Sequence, residues 1–449
     1  MADQNVLHTR QFVFFSLNEE PADRRLFSKQ SPWNDYIGIG DDGTKVVPVL
    51  PDSDLQCYAT FELMRQGSIL SVAELALGES PDKRRLQKML RDAEFQGGHL
   101  RQAGVGVSQF TFPIFDAAAE TTPRPGIPLE NYAGEKTPAN STVESKCEND
   151  DCVVLNIPQP KSVVRPSEPI TEEGESDGAV ILVDRENKLE YDFWQATVDD
   201  NSGDGQGGRT GAQIVRAGAI SSFDYSSQTG LGAQPESESR LGSSRATGLP
   251  YLGGLIIPED FHVLDLSIDT DPSSLRLEHA LAFTLPGMRY LASRGVGTVG
   301  FRRDYVYPAS SLETSFGTVN PYAMAAGQRI RLKDVLIAQE GKGIDQSGLK
   351  PVTQTFLNTL KDFGAFLVDG ALGFGFAAED YHTANVKLSP EVVSWLGTNP
   401  GAAELKQPKD ETVWEFLMGE LTEDLFNAGF VFATNVGGDF LRSNFEVVS

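Results

Sequence analysis

Ala179-Val180-Ile181-Leu182-Val183-Asp184, a polar turn at Arg185-Glu186-Asn187, and then Lys188-Leu189-Glu190-Tyr191-Asp192-Phe193-Trp194-Gln195-Ala196-Thr197 set the fold class. Two runs of β-branched and aromatic residues around a short polar turn have the sequence form of a β-hairpin. On either side lie further short apolar runs bounded by Pro, Gly and Asp, at residues 11–16, 46–50, 110–115, 153–158, 213–220, 276–285, 305–309, 365–369 and 373–378. Their length and boundaries predict strands. Helical spacing is confined to residues 59–105, 352–363 and the tail from residue 389, where Trp414, Phe416, Leu417, Leu421, Leu425 and Phe426 form one apolar stripe. The expected fold is mainly β, sandwich or jelly-roll-like with helical insertions, and α+β taken as a whole. The expected organisation is an N-terminal extension over 1–30, one β-rich domain over 31–388 with the helical insertion at 59–105, and a helical extension over 389–449 packed on that domain. Residues 199–211 and 221–248 are Gly/Ser/Asp-rich and predict long loops.

Composition limits the partners. Of 449 residues, 40% are hydrophobic and 22% charged, which is enough apolar material to bury a core without metal or disulfide staples. With 38 Lys and Arg against 63 Asp and Glu the formal charge is -25, so the surface repels phosphate backbones, and no nucleic-acid partner is expected. No apolar run reaches the ~18 residues of a membrane-spanning helix, so no membrane span is expected. The N-terminal Met-Ala-Asp-Gln-Asn lacks the basic and apolar regions of a secretory leader, which fits a mature secreted form or a chain that stays in the cell. Cys147 and Cys152 bracket a four-residue acidic loop. A disulfide in an oxidising compartment and a pair of reduced thiols are both compatible with that spacing.

Several short motifs recur in one order: Val154-Leu155-Asn156-Ile157-Pro158, Asp177-Gly178, Tyr191-Asp192-Phe193-Trp194, Gly207-Gly208, the run from Ala246 through Leu249-Pro250-Tyr251-Leu252-Gly253-Gly254 to Ile256, Glu278-His279-Ala280-Leu281, Tyr305-Val306-Tyr307-Pro308-Ala309, and Phe376-Ala377-Ala378-Glu379-Asp380. In this order and spacing the chain resembles a group of bacterial, usually secreted, β-rich proteins without an established activity. With Pro32-Trp33 as its start, the match covers about residues 30–388. It departs from the pattern at the insertion over 59–105, at the acidic loop over 199–206 and in the C-terminal tail. Members of the group often sit beside carbohydrate-related modules. The resemblance therefore implies extracellular or cell-surface work on polysaccharide, and no mechanism.

Candidate chemistry follows from residue type and placement. Strand alternation sends Asp192 and Trp194 to one face, and a carboxylate beside an indole suits a sugar, the ring stacking on a C–H face while the acid bonds hydroxyls. His279, between Leu277 and Leu281 in a predicted strand, is placed among aliphatics where a neutral imidazole could act as a base. Asp380, after Glu379, emerges at a strand end and with Asp192 would supply the paired acids of a glycosidase. Arg303 and Tyr307 would bind an acidic sugar, as in a polysaccharide lyase. Asp200, Ser202 and Asp204 have the alternate oxygens of the first half of a calcium loop but lack its closing acid, so a weak structural calcium and a plain acidic loop are both compatible with them, and no cofactor is required. Two functions are open: polysaccharide binding with or without cleavage, or a structural surface-assembly role with self-association. Cleavage requires Asp192, His279 and Asp380 to share one solvent-reachable pocket with an aromatic wall.

Overall fold

The computed structural model describes residues 14, 26–27, 31–38, 47–51, 53, 56–57, 105–106, 111–117, 126–130, 145–148, 151–158, 160, 177–199, 213–225, 244–262, 271, 274–285, 288–289, 305–311, 317–318, 323–334, 336, 346–371, 374–381, 383–384, 413–427 and 444–448. In chain order the first strands are β1 (Val105–Gly106), β2 (Ile114–Asp116), β3 (Ile127–Pro128), β4 (Ser145–Glu148) and β5 (Asp151–Val154). The hairpin region supplies β6 (Val180–Asp184), β7 (Leu189–Trp194), β8 (Thr197–Asp199), β9 (Gln213–Arg216) and β10 (Ala219–Asp224). A short helix α1 (Pro258–His262) precedes β11 (Leu281–Leu285), β12 (Met288–Arg289), β13 (Gly317–Thr318) and β14 (Arg329–Leu332). Helix α2 (Pro351–Asp362), β15 (Ala365–Gly370), β16 (Gly375–Ala377), α3 (Val413–Asn427) and β17 (Phe445–Val448) complete the order. The chain is strand-rich.

Two mixed sheets dominate. One runs β1-β16-β11-β15-β14-β17, the other β10-β7-β6-β2. The pairs β1/β16, β11/β15 and β2/β6 are parallel. The hairpin read from the sequence is present, with β6 and β7 antiparallel from Val180↔Phe193 to Asp184↔Leu189. Its turn is tied by the Asp184 carboxylate, which accepts from Glu186 N at 3.1 Å and Asn187 N at 3.0 Å. A short acid that bonds the backbone two and three residues on is a turn former, which is why this turn closes where it does.

The larger hydrophobic core gathers Ile181 and Val183 from one sheet, Phe283, Phe366 and Phe376 from the other, and Trp414 and Leu417 from α3. A smaller one lies on the other face of the four-stranded sheet, around Val180, Leu182, Phe193 and Ile220. Alternation along β6 thus feeds both cores. Helix α2 starts at Pro351, where a missing N–H costs nothing, while Lys350 N reaches Asp424 Oδ2 on α3 at 2.7 Å. It ends at Gly364, whose φ of 65° and closeness to the Ile330 carbonyl admit no side chain.

Several sequence expectations are corrected. Residues 213–220 form two strands, because the chain kinks at Ala217-Gly218, where the Trp194 ring packs over the glycine. Residues 305–309 make one bridge, Tyr305↔Ala326, followed by a turn with a cis Tyr307–Pro308 peptide. The tail is not helical throughout, since Phe445–Val448 pairs with β14 at the edge of the larger sheet. The strand after His279 begins only at Leu281. Cys152 is disulfide-bonded and Cys147 stands opposite it in the β4/β5 register, whereas Cys57 is buried with its Sγ 3.6 Å from the Phe445 carbonyl. The helical reading of 59–105, almost all of it, and residues 200–211 and 226–243 of the two expected loops lie outside the described residues, while the expected loop over 221–248 begins as strand, since β10 runs to Asp224. Among the described residues no helix is long and apolar enough to cross a membrane.

Candidate functional site

A buried group of chemistry-bearing side chains lies where β7 meets the segment 244–257. On β7, Phe193 points into the smaller core, so Glu190 and Asp192 point the other way, beside Val183 and Ile181 of β6. Both acids have 0% exposure. They are covered by the segment 244–257, whose backbone is aimed at them: Tyr251 N donates to Asp192 Oδ2 at 2.8 Å and Leu252 N to Glu190 Oε1 at 2.7 Å. Ser244 adds a bond from its Oγ to the Asp192 carbonyl at 2.6 Å, and its N–H goes to Ser221 Oγ on β10 at 2.8 Å.

The same segment reaches the larger sheet. Thr247 Oγ1 donates to the Val368 carbonyl of β15, Ala282 N of β11 donates to Gly254 O at 2.9 Å, and Ile256 N donates to Ala377 O of β16 at 3.0 Å. Gly254 is required here, because φ is 71° and a Cβ would overlap Ala282 N. The run from Ala246 to Ile256 is therefore a seam that joins both sheets.

Arg245 is buried in this seam. Its guanidinium lies 5.2 Å from the Phe112 ring centroid and 5.1 Å from that of Tyr251, and Nη1 donates to Pro250 O at 2.8 Å. Nε faces Asp369 Oδ2 at 3.8 Å. Tyr251 Oη donates to the Ser244 carbonyl at 2.9 Å. Burial pushes Glu190 up to about 7, and it also raises Asp192, where repulsion from Glu190 adds to the effect. Tyr251 is raised by burial first and by Asp192 second. This centre resists ionisation.

The expected catalytic residues do not meet in one wet pocket. Asp192 is sealed under Tyr251 and Leu252. Asp380 also has 0% exposure; it accepts from Thr111 Oγ1, and its N–H bonds the Phe112 carbonyl at 3.3 Å. Glu379 beside it is buried too, its carbonyl accepting from Trp414 Nε1 at 2.9 Å. His279 sits in a bend rather than a strand, and its ring nitrogens meet polar groups: Nε2 is 3.2 Å from Asp260 Oδ2 and Nδ1 is 2.9 Å from the Ala280 carbonyl. Trp194 does share a strand face with Asp192, but its Nε1 donates outward to Asp177 Oδ1 at 3.3 Å. Arg303, Asp200, Ser202 and Asp204 lie outside the described residues.

Tyr307 is placed differently from all of these. At 65% it is the most exposed large apolar side chain among the described residues, followed by Val215, Tyr36 at 37% and Tyr305 at 36%. Tyr36 is held edge-on against Phe363, with centroids 5.7 Å apart; its hydroxyl is 3.4 Å from Asp362, and the Arg276 guanidinium lies 5.9 Å over its ring. Arg276 in turn pairs with Asp362 at 3.1 Å. Partial burial and then the charge of Asp35 raise the Tyr307 phenol. Under this surface Arg329 anchors Asp35 through its carbonyl at 2.7 Å.

The sequence reading missed Glu190, Arg245, Tyr251 and Tyr36. The Glu-x-Asp spacing on a strand whose partner positions are Ile and Val was an available signal for the first of these. Comparison of the chain with protein-family models, with curated proteins and with solved structures finds no match.

Proposed function

We propose that this chain is an extracellular polysaccharide-binding protein, that its two large sheets face each other as a sandwich, and that Tyr36, Tyr305 and Tyr307 form its contact surface. The observation that carries the reading is Tyr307: a ring standing 65% in solvent on a turn whose next residues, Pro308 and Ala309, are buried. Burying the turn beneath an exposed ring holds that ring ready, so little ordering is needed when a ligand stacks on it. Tyrosine suits a sugar because its face meets the C–H side of a pyranose while the hydroxyl reaches a ring substituent. Arg276 and Asp35, beside Tyr36 and Tyr307, supply a donor and an acceptor for hydroxyl groups. The formal charge of -25 favours neutral over anionic polymers. A disulfide at Cys152 fits an oxidising compartment, and the resemblance to secreted proteins points the same way.

Cleavage is not part of the proposal. Asp192 and Asp380, the paired acids it would need, are withdrawn from solvent and engaged by Tyr251 N and Thr111 Oγ1. The test is affinity electrophoresis of the whole protein through gels carrying neutral glucans, xylan or galactomannan, with acidic polymers for comparison. Retardation in at least one neutral gel, without release of new reducing ends, is the expected result. Unaltered mobility across the panel, with self-association in sedimentation, would move the tyrosine surface to the assembly role instead.

A further inference from the structure

Glu190 and Asp192 each spend one oxygen on a backbone N–H, and each is left with one buried oxygen, Oε2 and Oδ1, that has no other hydrogen-bond partner among the described residues. Those two carboxyl groups are within hydrogen-bond reach of each other. Two ionised carboxylates are acceptors only and cannot bond one another. One proton between them resolves the conflict, turning a pair of stranded acceptors into a donor and an acceptor.

The surrounding charges point the same way. Among the described residues, Arg245 is the cation whose field reaches both acids. It also faces Asp369, so it can balance one negative charge at the pair but not two. The other titratable groups are phenols, Tyr251 from the seam and Tyr225 after β10, the latter influenced by Asp184, Asp224 and Arg185 at the rim. None of these adds a second compensating positive charge against the acids.

We infer that Glu190 and Asp192 share a single proton and act as a pH-operated latch on the segment 244–257. While the proton is held, both acceptors keep Tyr251 N and Leu252 N in place. When it leaves, two adjacent carboxylates remain in a dry seam, and the cheapest relief is to admit water by loosening that segment. The sign follows from burial: the folded-state value of Glu190, about 7, lies above its ordinary 4.5. With Asp192 raised as well, the pair's stabilisation is therefore complete below about pH 4.5 and is lost as pH rises past the raised folded-state values of the two acids.

The test compares the whole wild-type protein with Glu190→Gln, whose amide keeps an acceptor for Leu252 N and supplies a permanent donor to Asp192 Oδ1. Hydrogen exchange of the peptide covering Tyr251 and Leu252 is measured at pH 5.5 and pH 8 and corrected for intrinsic rates. The latch predicts about tenfold less protection at pH 8 in the wild type and no change in Glu190→Gln. Its melting temperature should fall by about 5 °C over the same interval only in the wild type. Equal pH dependence in both proteins overturns the latch. If Glu190→Gln does not fold, Asp192→Asn carries the same comparison. Independently of any variant, the infrared band of a protonated carboxylic acid must be present in folded wild-type protein at pH 6.5; its absence also overturns the proposal.

Discussion

Tyr251 and Tyr307 are the same residue type in opposite circumstances. Tyr251 is 3% exposed, its hydroxyl fixed on Ser244 and its backbone on Asp192; Tyr307 stands 65% in water with its neighbours buried beneath it. The first belongs to a seam that fastens two sheets, the second to a surface that can meet a ligand. The contrast shows that acids, arginine and phenols concentrated at one point need not form an active site. Where buried acids are held by backbone N–H groups out of reach of solvent, the same groups act as a joint, fastening one segment to another.

Substitutions can separate the two regions, beginning at the joint. Arg245→Ala removes the cation that balances the acid pair and empties the space between Phe112 and Tyr251, so it should cost about 3–5 kcal/mol in urea unfolding. Gly254→Ala puts a Cβ against Ala282 N at a φ of 71°, and about 1–3 kcal/mol should be lost without any change in the charge of the centre. At the surface the stability effects shrink. Tyr307→Ala should shift the unfolding free energy by no more than about 0.5 kcal/mol while weakening polysaccharide binding about tenfold. Tyr36→Phe should have the smallest effect: it gives up an exposed 3.4 Å bond to Asp362 but keeps the ring, so binding should drop less than about threefold by titration calorimetry. An Arg245 variant that unfolds no more easily than Tyr307→Ala would erase the distinction between joint and surface.

Much of the joint was open to a reader of the sequence, and its meaning was not. The hairpin of β6 and β7 follows from period-two alternation around Asp184-Arg185-Glu186-Asn187, and α2 from its helical spacing over 352–363. The same alternation put Asp192 opposite to Phe193, which is correct. What alternation cannot reveal is the covering layer. Nothing local to β7 says that Tyr251 N, 59 positions away, closes over Asp192, so a buried acid was read as a cleft acid. His279 was misread for a related reason: its strand starts two residues later, and the partner Asp260 comes from a distant helix turn. Phe445–Val448 was missed because a four-residue edge strand after a long helix carries almost no periodic signal. Tyr307 was named from sequence, but its exposure depends on Pro308 and Ala309 being swallowed by the fold, which is a tertiary fact.

The surface and the joint are set against each other by running Tyr307→Ala and Asp192→Asn side by side through a gel containing the neutral polysaccharide that retards the wild type, with melting curves of both. Recognition at the surface predicts that Tyr307→Ala migrates freely with an unchanged melting temperature, and that Asp192→Asn is still retarded. Free migration of a folded Asp192→Asn together with retention of Tyr307→Ala would place recognition at the acids and contradict this reading.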